Sequence, residues 1–342
     1  MNLGRRALPP MIPSTPLSCD LLVLGSGIAG LRGAIEAARS GWRVILATKD
    51  RQRESNTEYA QGGIAVSLAL GDTPDQHFSD TLKAGDGLCR EAAVRVLVEE
   101  GPAAVLELIG WGARFDRDGG ELHFTREAAH GQNRILHAQG DATGQELERT
   151  LTETTAGMDR IQVLSYHMAL GLMTDGLGCR GAWLLDETDN RPVPVFARAV
   201  LIATGGLGRL YKESTNPAIA TGDGMAMALR AGMVLADLEF VQFHPTALFM
   251  KGAPRFLLSE SMRGEGAILK NADGKRFMDE LAPRDVVTRG IVAEMARTGG
   301  RTVVLDLTHL DHDYVQSRFP TIYATCLQYG LDISRSPIPV HP

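Results

Sequence analysis

The spacing of apolar and polar positions changes several times along the chain, and each change predicts an element. Asp20–Leu24 is a short apolar run and fits a buried strand. Leu31–Ser40 is alanine-rich and helical, and Gly41 stops it. Arg43–Thr48 returns to a strand pattern. Residues 50–72 are polar and read as loop, followed by helical stretches around 75–84 and 90–109. RFDRDGGELHF (114–124) fits a hairpin, and 141–157 contains a helix. From Ile161 to Pro194 apolar residues alternate with polar ones, with turns at TDG and TDN. ARAVLIATGG (197–206) reads as a buried strand ending in a glycine turn. GDGMAMALRAG (222–232) is a short helix with Asp223 in its first turn, where a carboxylate suits the dipole. VQFHPTAL (241–248) alternates as a strand, Val241 and Phe243 on one face, Gln242 and His244 on the other, until Pro245 ends the ladder. Burying Gln242 and His244 without partners would be costly, so that stretch asks what they face.

The first strand, helix and second strand carry Gly25-Ser26-Gly27-Ile28-Ala29-Gly30 at the strand-to-helix junction. This G-x-G-x-x-G in a βαβ unit lets backbone approach a pyrophosphate, whose charge the helix N-terminus stabilises. The second strand ends Thr48-Lys49, with Asp50 just beyond. The acid that usually holds an NAD ribose is therefore out of place, which weakens the NAD reading. No second such unit and no internal repeat occurs, so one dinucleotide site is expected.

Composition narrows the picture. Of 342 residues, 44% are hydrophobic and 22% charged, as in an ordinary globular protein with room for about two domains. The 38 glycines cluster in GSGIAG, AQGG, ATGGLG, TGDG and RGEG, which suits a large cofactor lying against backbone. A formal net charge of −6 argues against sequence-independent nucleic-acid binding. No apolar run is long enough to span a membrane. Residues 1–18 lack an apolar signal core and are expected to be a flexible tail. Cys19, Cys89, Cys179 and Cys326 are scattered thiols suited to a reducing cytosol. There is no G-x-S-x-G and no Walker lysine. His123, His130 and His137 fall in three different elements, and the DHD at 311–313 reads as a helix start, so no metal site is expected.

The motifs GSGIAG, TEYAQGGIA, ILHAQGDATGQE, ATGGLGRLY, TNPAIATGDGMAMALRAG, LEFVQFHPTAL, LSESMRGEGA and LAPRDVVTRGI occur in one order. In that order the chain resembles the flavoprotein family of succinate dehydrogenase, fumarate reductase and L-aspartate oxidase over residues 18–340. The resemblance implies an α/β fold: a Rossmann-like FAD-binding domain over 19–240, lacking its C-terminal return, and an α+β capping domain over 241–342. Two positions make it most similar to the L-aspartate oxidases. Asn56 stands where the membrane-bound branch has a histidine linked to FAD, which implies non-covalent FAD. Glu127 in TREAAH stands where that branch has an apolar residue, and a carboxylate there suits a substrate with an ammonium group. Ala128-Ala129 departs from the Gly-Gly of relatives.

The resemblance also implies roles. Gly25, Ser26, Gly27, Ile28, Ala29 and Gly30 would hold the pyrophosphate, and Lys49 would lie near the adenosine ribose. Asn56, Thr57, Glu58, Tyr59, Ala60, Gln61, Gly62 and Gly63 would wrap the flavin ring, and Asp223 would touch FAD. His244 and Ser259 would bind substrate carboxylate, with Gln242 beside them. Arg284 in APRD would move the proton at the substrate carbon. Arginine is a poor base in water and needs a relay to restore its proton; Glu260 and Arg263, at i,i+3, could form it. The implied reaction is FAD-dependent oxidation of L-aspartate to iminosuccinate with O2 or fumarate as acceptor, the first step of NAD synthesis through quinolinate. The implied setting is cytoplasmic, with a functional link to quinolinate synthase. Two alternatives stay open: a fumarate reductase or succinate dehydrogenase flavoprotein, and an incomplete chain without activity. The family's second substrate histidine and arginine, and its C-terminal helices, are expected beyond the sequence in hand.

Overall fold

The computed structural model describes residues 14–342. Residues 1–13 of the expected tail lie outside the described residues. Leu17 and Ser18 depart from that expectation: they open a strand, Leu17–Leu24, and pair with Val195 and Phe196.

The chain forms two compact units. The first gathers the chain up to Glu58 with Leu151–Lys212 and Asn216–Glu239. The second gathers Tyr59–Thr150, Glu213–Thr215 and Phe240–Pro342. A division drawn once, at residue 240, differs from this, because residues 59–150 group with the C-terminal part. The bonds that join them are specific. Asp141 accepts from the backbone N–H groups of Thr321 and Ile322 (3.1 and 2.8 Å), and Arg318 Nη1 donates to the Gly140 carbonyl (2.8 Å). Such pairings span more than 170 residues and leave no local trace in the sequence.

The first unit is built on a six-stranded sheet in the order Ile161–Leu164, Val44–Ala47, Leu17–Leu24, Arg191–Ile202, Gly178–Asp186, His167–Asp175. The first four strands are parallel and the last two antiparallel. The apolar runs are explained by position: Leu22, Val23 and Leu24 lie between parallel neighbours and are fully buried, as is all of Val44–Ala47. The strand expected over 197–206 is part of a longer one, Arg191–Ile202, which includes Pro192 and Pro194. Leu17–Leu24 pairs with it only from Val195 onward, so both prolines sit where one side needs no ladder donor. The helix Ile28–Arg39 buries Leu31, Ala34, Ile35 and Ala38 and begins three residues earlier than expected. Thr57 Oγ1 accepts the Ile28 N–H (3.1 Å), satisfying one donor of the extra turn.

The second unit has a four-stranded antiparallel sheet in the order Ala247–Leu248, Ile338–His341, Val303–Asp306, Ile268–Lys270. Leu258, Met262, Leu269, Val287, Ile291, Leu305 and Phe319 form its core. The helices Arg284–Arg297, His312–Arg318 and Pro320–Gln328 contribute to it. Asp311 caps the second of these by accepting from Tyr314 N (2.8 Å), as the DHD pattern suggested. The helices Pro74–Ala84 and Glu91–Gly110 and a short hairpin, Arg117–Asp118 with Glu121–Leu122, also belong to this unit.

The expected strand over 241–248 does not form. Only Ala247–Leu248 is extended and paired; 241–245 is irregular, and Phe243 is 59% exposed. Pro245 has no N–H to give, and the His244 ring turns back onto the Thr246 backbone. Among the described residues no helix is long and apolar enough to cross a membrane.

Candidate active site

The first unit holds a cavity of about 470 Å³, and the G-x-G-x-x-G turn forms part of its wall. Gly25, Ser26, Gly27, Ile28 and Ala29 line it. Gly30 does not. It is buried, and a Cβ there would come within 1.9 Å of the Gly25 carbonyl, so its part is to let the helix close on the strand. Gly25 has φ +110, and a side chain there would strike the Ala203 carbonyl. The helix starts at Gly27 with no side-chain cap and no acidic residue in its first turn. Its positive end therefore carries no local counter-charge, which fits a phosphate.

Lys49 and Asp223 also line this cavity. Lys49 Nζ donates to Asp223 Oδ2 and to Thr221 Oγ1, and Thr221 donates to Asp223. Burial pushes the Asp223 carboxyl up, but the bonds from Lys49 and Thr221 outweigh it and hold it below its ordinary value. Asn56 and Thr57 are in the wall; Glu58, Tyr59, Ala60, Gln61, Gly62 and Gly63 are not. Tyr59 to Gly63 belong to the second unit, where Gln61 is buried with Oε1 unpartnered. Sequence reasoning missed His167, Met168 and Ala169 as wall residues; they open a strand that carries no motif.

The second unit holds a cavity of about 480 Å³ lined by charged and polar side chains, Glu127, His130, Gln242, Glu260, Arg284, Asp285 and Arg289, with Ala128, Ala129 and Phe243. Arg284 is the first residue of its helix, after Pro283, so its side chain leaves from a fixed end. Its Nε donates to Glu260 Oε2, and its Nη1 donates to Gln242 Oε1 (3.1 Å). Arg263, fully buried, lies 3.6 Å from the same Glu260 oxygen and donates to the Glu280 carbonyl. Glu260 is thus hydrogen-bonded to Arg284 and in charge contact, without a hydrogen bond, with Arg263. Burial lowers the Arg263 pKa, against the pull of Glu260.

Glu127 lies in this cavity with Oε1 buried and without a hydrogen-bond partner. Burial, and then the charge of Glu260, raise its pKa to about 7, against Arg284, Arg318 and Arg263. His137 Nε2 is 3.7 Å from that oxygen and 3.0 Å from Thr125 Oγ1. Burial, with Arg318 and His123, holds His137 at about 3, so near pH 7 the contact is a neutral imidazole beside a carboxyl, not an ion pair. Ala129 has φ +65, the left-handed region in which glycine is the easy residue.

His244 and Ser259 are not in the wall of that cavity. His244 is neutral, its pKa held at about 3 by burial and then by Arg284 and Arg263. His244 Nδ1 lies 3.3 Å from Thr246 N and 3.2 Å from the Thr246 carbonyl, and Nε2 is buried with no partner. A buried ring nitrogen left without a partner costs about 1–3 kcal/mol. Ser259 Oγ accepts from Ser261 N (3.3 Å) and caps the helix Glu260–Gly264.

The FAD binding domain family model matches residues 20–342. The chain belongs to the FAD binding domain family. Among curated proteins this FAD-binding chain is similar to the chloroplastic L-aspartate oxidase of Arabidopsis thaliana, with 45% identity over 94% of this chain and 52% of the relative. It is also similar to the L-aspartate oxidase of Streptomyces coelicolor, with 45% identity over 96% and 59%. Among solved structures it is similar to an E. coli quinol fumarate reductase, with TM-score 0.89 and 34% identity over 96% of this chain and 60% of that one. The chain spans about half to three fifths of the length of these proteins. The glycine turn, the uncapped helix start and the Lys49–Asp223 pair fit a dinucleotide such as FAD.

Proposed function

We propose that this chain supplies the flavin-binding and substrate-charge elements of an FAD-dependent L-aspartate oxidase, forming iminosuccinate with O2 or fumarate as acceptor. One observation carries the reading: Glu127, a buried carboxyl with an unpartnered oxygen, shares a cavity with the Arg284 guanidinium. Such a cavity suits a substrate bearing an ammonium group as well as carboxylates. The L-aspartate oxidase relatives support the same reading.

FAD, when bound, would accept the hydride, and with it the two electrons, that leaves the substrate carbon. The helix start at Gly27 would hold its phosphates, and Lys49 and Asp223 would hold a polar part of it. Asn56 in the wall carries an amide, which cannot form the covalent link that a histidine forms. Acid precipitation should therefore release all the flavin; flavin retained in the pellet would refute non-covalent binding. In the second unit Arg284 would give a proton to Glu260, to which it is bonded, and take one from a substrate carbon as the hydride leaves the neighbouring carbon, giving the enamine tautomer of iminosuccinate. His244 Nε2, buried without a partner, would bond a substrate carboxylate oxygen in its Nε2–H tautomer. Glu127, ionised above about pH 7, pairs with the ammonium group.

The test is Glu127→Gln in protein that turns over substrate. kcat/KM for L-aspartate should fall at least ~10-fold, about 1.4 kcal/mol, while fumarate reduction holds. An equal fall in both activities would leave Glu127 a structural residue and favour the dicarboxylate reading. A cytoplasmic setting and hand-over of the imine to a quinolinate synthase belong to the same proposal, because imines hydrolyse in water. A coupled assay in which that synthase fails to consume the product would remove the link.

A further inference from the structure

Glu127 belongs to the segment 126–134, which has almost no regular structure of its own. Within it the only backbone hydrogen bond among the described residues is a long one, His130 N–H to the Glu127 carbonyl (3.3 Å). It also holds Ala129 at φ +65, a conformation that an alanine adopts only when its surroundings enforce it.

At the end of this segment stands Arg134, which is wholly buried. Its Nε and Nη2 donate to both oxygens of Asp72 (2.9 and 2.8 Å), a two-pronged pair buried on both sides. Its Nη1 lies 2.9 Å from Asp80 Oδ2, a charge contact too bent to count as a hydrogen bond. The same Asp80 oxygen accepts the Gly131 N–H (2.8 Å). Gly131 leaves just enough room: a Cβ there would sit 3.2 Å from the Asp80 carboxylate. Asp80 is on the helix Pro74–Ala84, whose last residue lines the charged cavity. Arg134 also gives its carbonyl to Val66 N (2.9 Å), which fixes its own backbone.

We propose that Arg134, gripped by Asp72 and Asp80, is the positioning residue that sets the Glu127 loop, and with it the ammonium selectivity of the cavity. The selectivity clause rests on the function proposed above; the positioning does not. Arg134 touches no substrate group. It acts by holding the far end of the loop while Asp80 holds Gly131 in the middle. A lysine cannot replace it, because a single ammonium cannot grip Asp72 with two parallel bonds and also face Asp80.

The test compares the 342-residue chain with Asp80→Asn and Arg134→Lys by hydrogen–deuterium exchange, and follows the Glu127 carboxyl by 13C NMR over pH. Asp75→Asn, on the same helix but exposed and paired with Arg95, is the control. Both variants should exchange residues 127–133 at least ~10-fold faster than the parent and the control, with the sheet of the second unit unchanged. The Glu127 titration should fall from about 7 toward the ordinary carboxylate range as the loop opens to water. Unchanged exchange and titration, or acceleration spread over the whole unit, would overturn the positioning role. If Asp80→Asn does not fold, Gly131→Ala reads the same contact from the loop side. A loosened loop in a protein without aspartate selectivity would sink the substrate reading and keep the clamp. A firm loop with intact selectivity would sink the clamp and keep the substrate reading.

Discussion

Two cavities of nearly equal volume, about 470 and 480 Å³, have opposite linings. The one in the first unit is walled by backbone and apolar side chains such as Leu24, Ala47, Met168 and Ile202, with one internal ion pair, Lys49–Asp223. The one in the second unit is walled by Glu127, Glu260, Arg284, Asp285 and Arg289. The difference lies in where the recognition chemistry is stored. In the first it is stored in conformation: a left-handed glycine, a close helix–strand approach and a helix start without an acidic residue. In the second it is stored in side chains from separated segments, and their value depends on a few ångströms. A backbone site should thus be broken by added volume, and a side-chain site by changed charge.

Gly30→Ala tests the first half of that contrast and should have the largest effect. The new Cβ would press on the Gly25 carbonyl, so the helix must leave the strand. A destabilisation of roughly 3 kcal/mol and loss of flavin retention are expected. Denaturant midpoints and flavin absorbance read both, and an unchanged midpoint would show that the helix has slack.

Glu127→Gln tests the second half through stability. The folded pKa is raised above the unfolded value, so folding is favoured by protonation. The parent's stability is fully present below about pH 4.3 and is lost as pH rises to about 7. Gln cannot ionise, so the variant should be more stable than the parent at pH 8 by roughly 3 kcal/mol, and about equal to it at pH 4. Equal stability at both pH values would mean that Glu127 is well solvated.

Ala129→Gly should give the smallest effect. Relief of a left-handed alanine, less the added freedom of the unfolded chain, leaves a gain of about 1 kcal/mol or less. A thermal melt decides the sign, and a loss would show that the Ala129 methyl packs.

The same contrast explains what could be read ahead of the structure. The βαβ unit was legible because its signal is local: an apolar run, G-x-G-x-x-G, an alanine-rich helix and a second run within 30 residues. Element types also read well where a turn or cap marks them, as at Gly41, Asp223 and Asp311. The strand over 241–248 was misread, because alternation was its only support and Pro245 with the His244–Thr246 turn overrides it. The Arg284–Glu260–Arg263 group was half legible: i,i+3 spacing joins the last two, and nothing local joins Arg284 to them. Asp72, Asp80 and Arg134 gave no signal, since charged residues 54 and 62 positions apart read as ordinary surface.

By itself the sequence determined the parallel core, the glycine turn and the residue types available for acid–base work, because these depend on periods of two to four residues and on the steric freedom of single positions. Only the tertiary structure decided that 59–150 joins the C-terminal unit, that Arg134 is buried between two aspartates, and that Glu127 titrates near 7. Burial and Coulomb energy depend on distance through space, and the chain spends most of its length bringing distant residues within that reach.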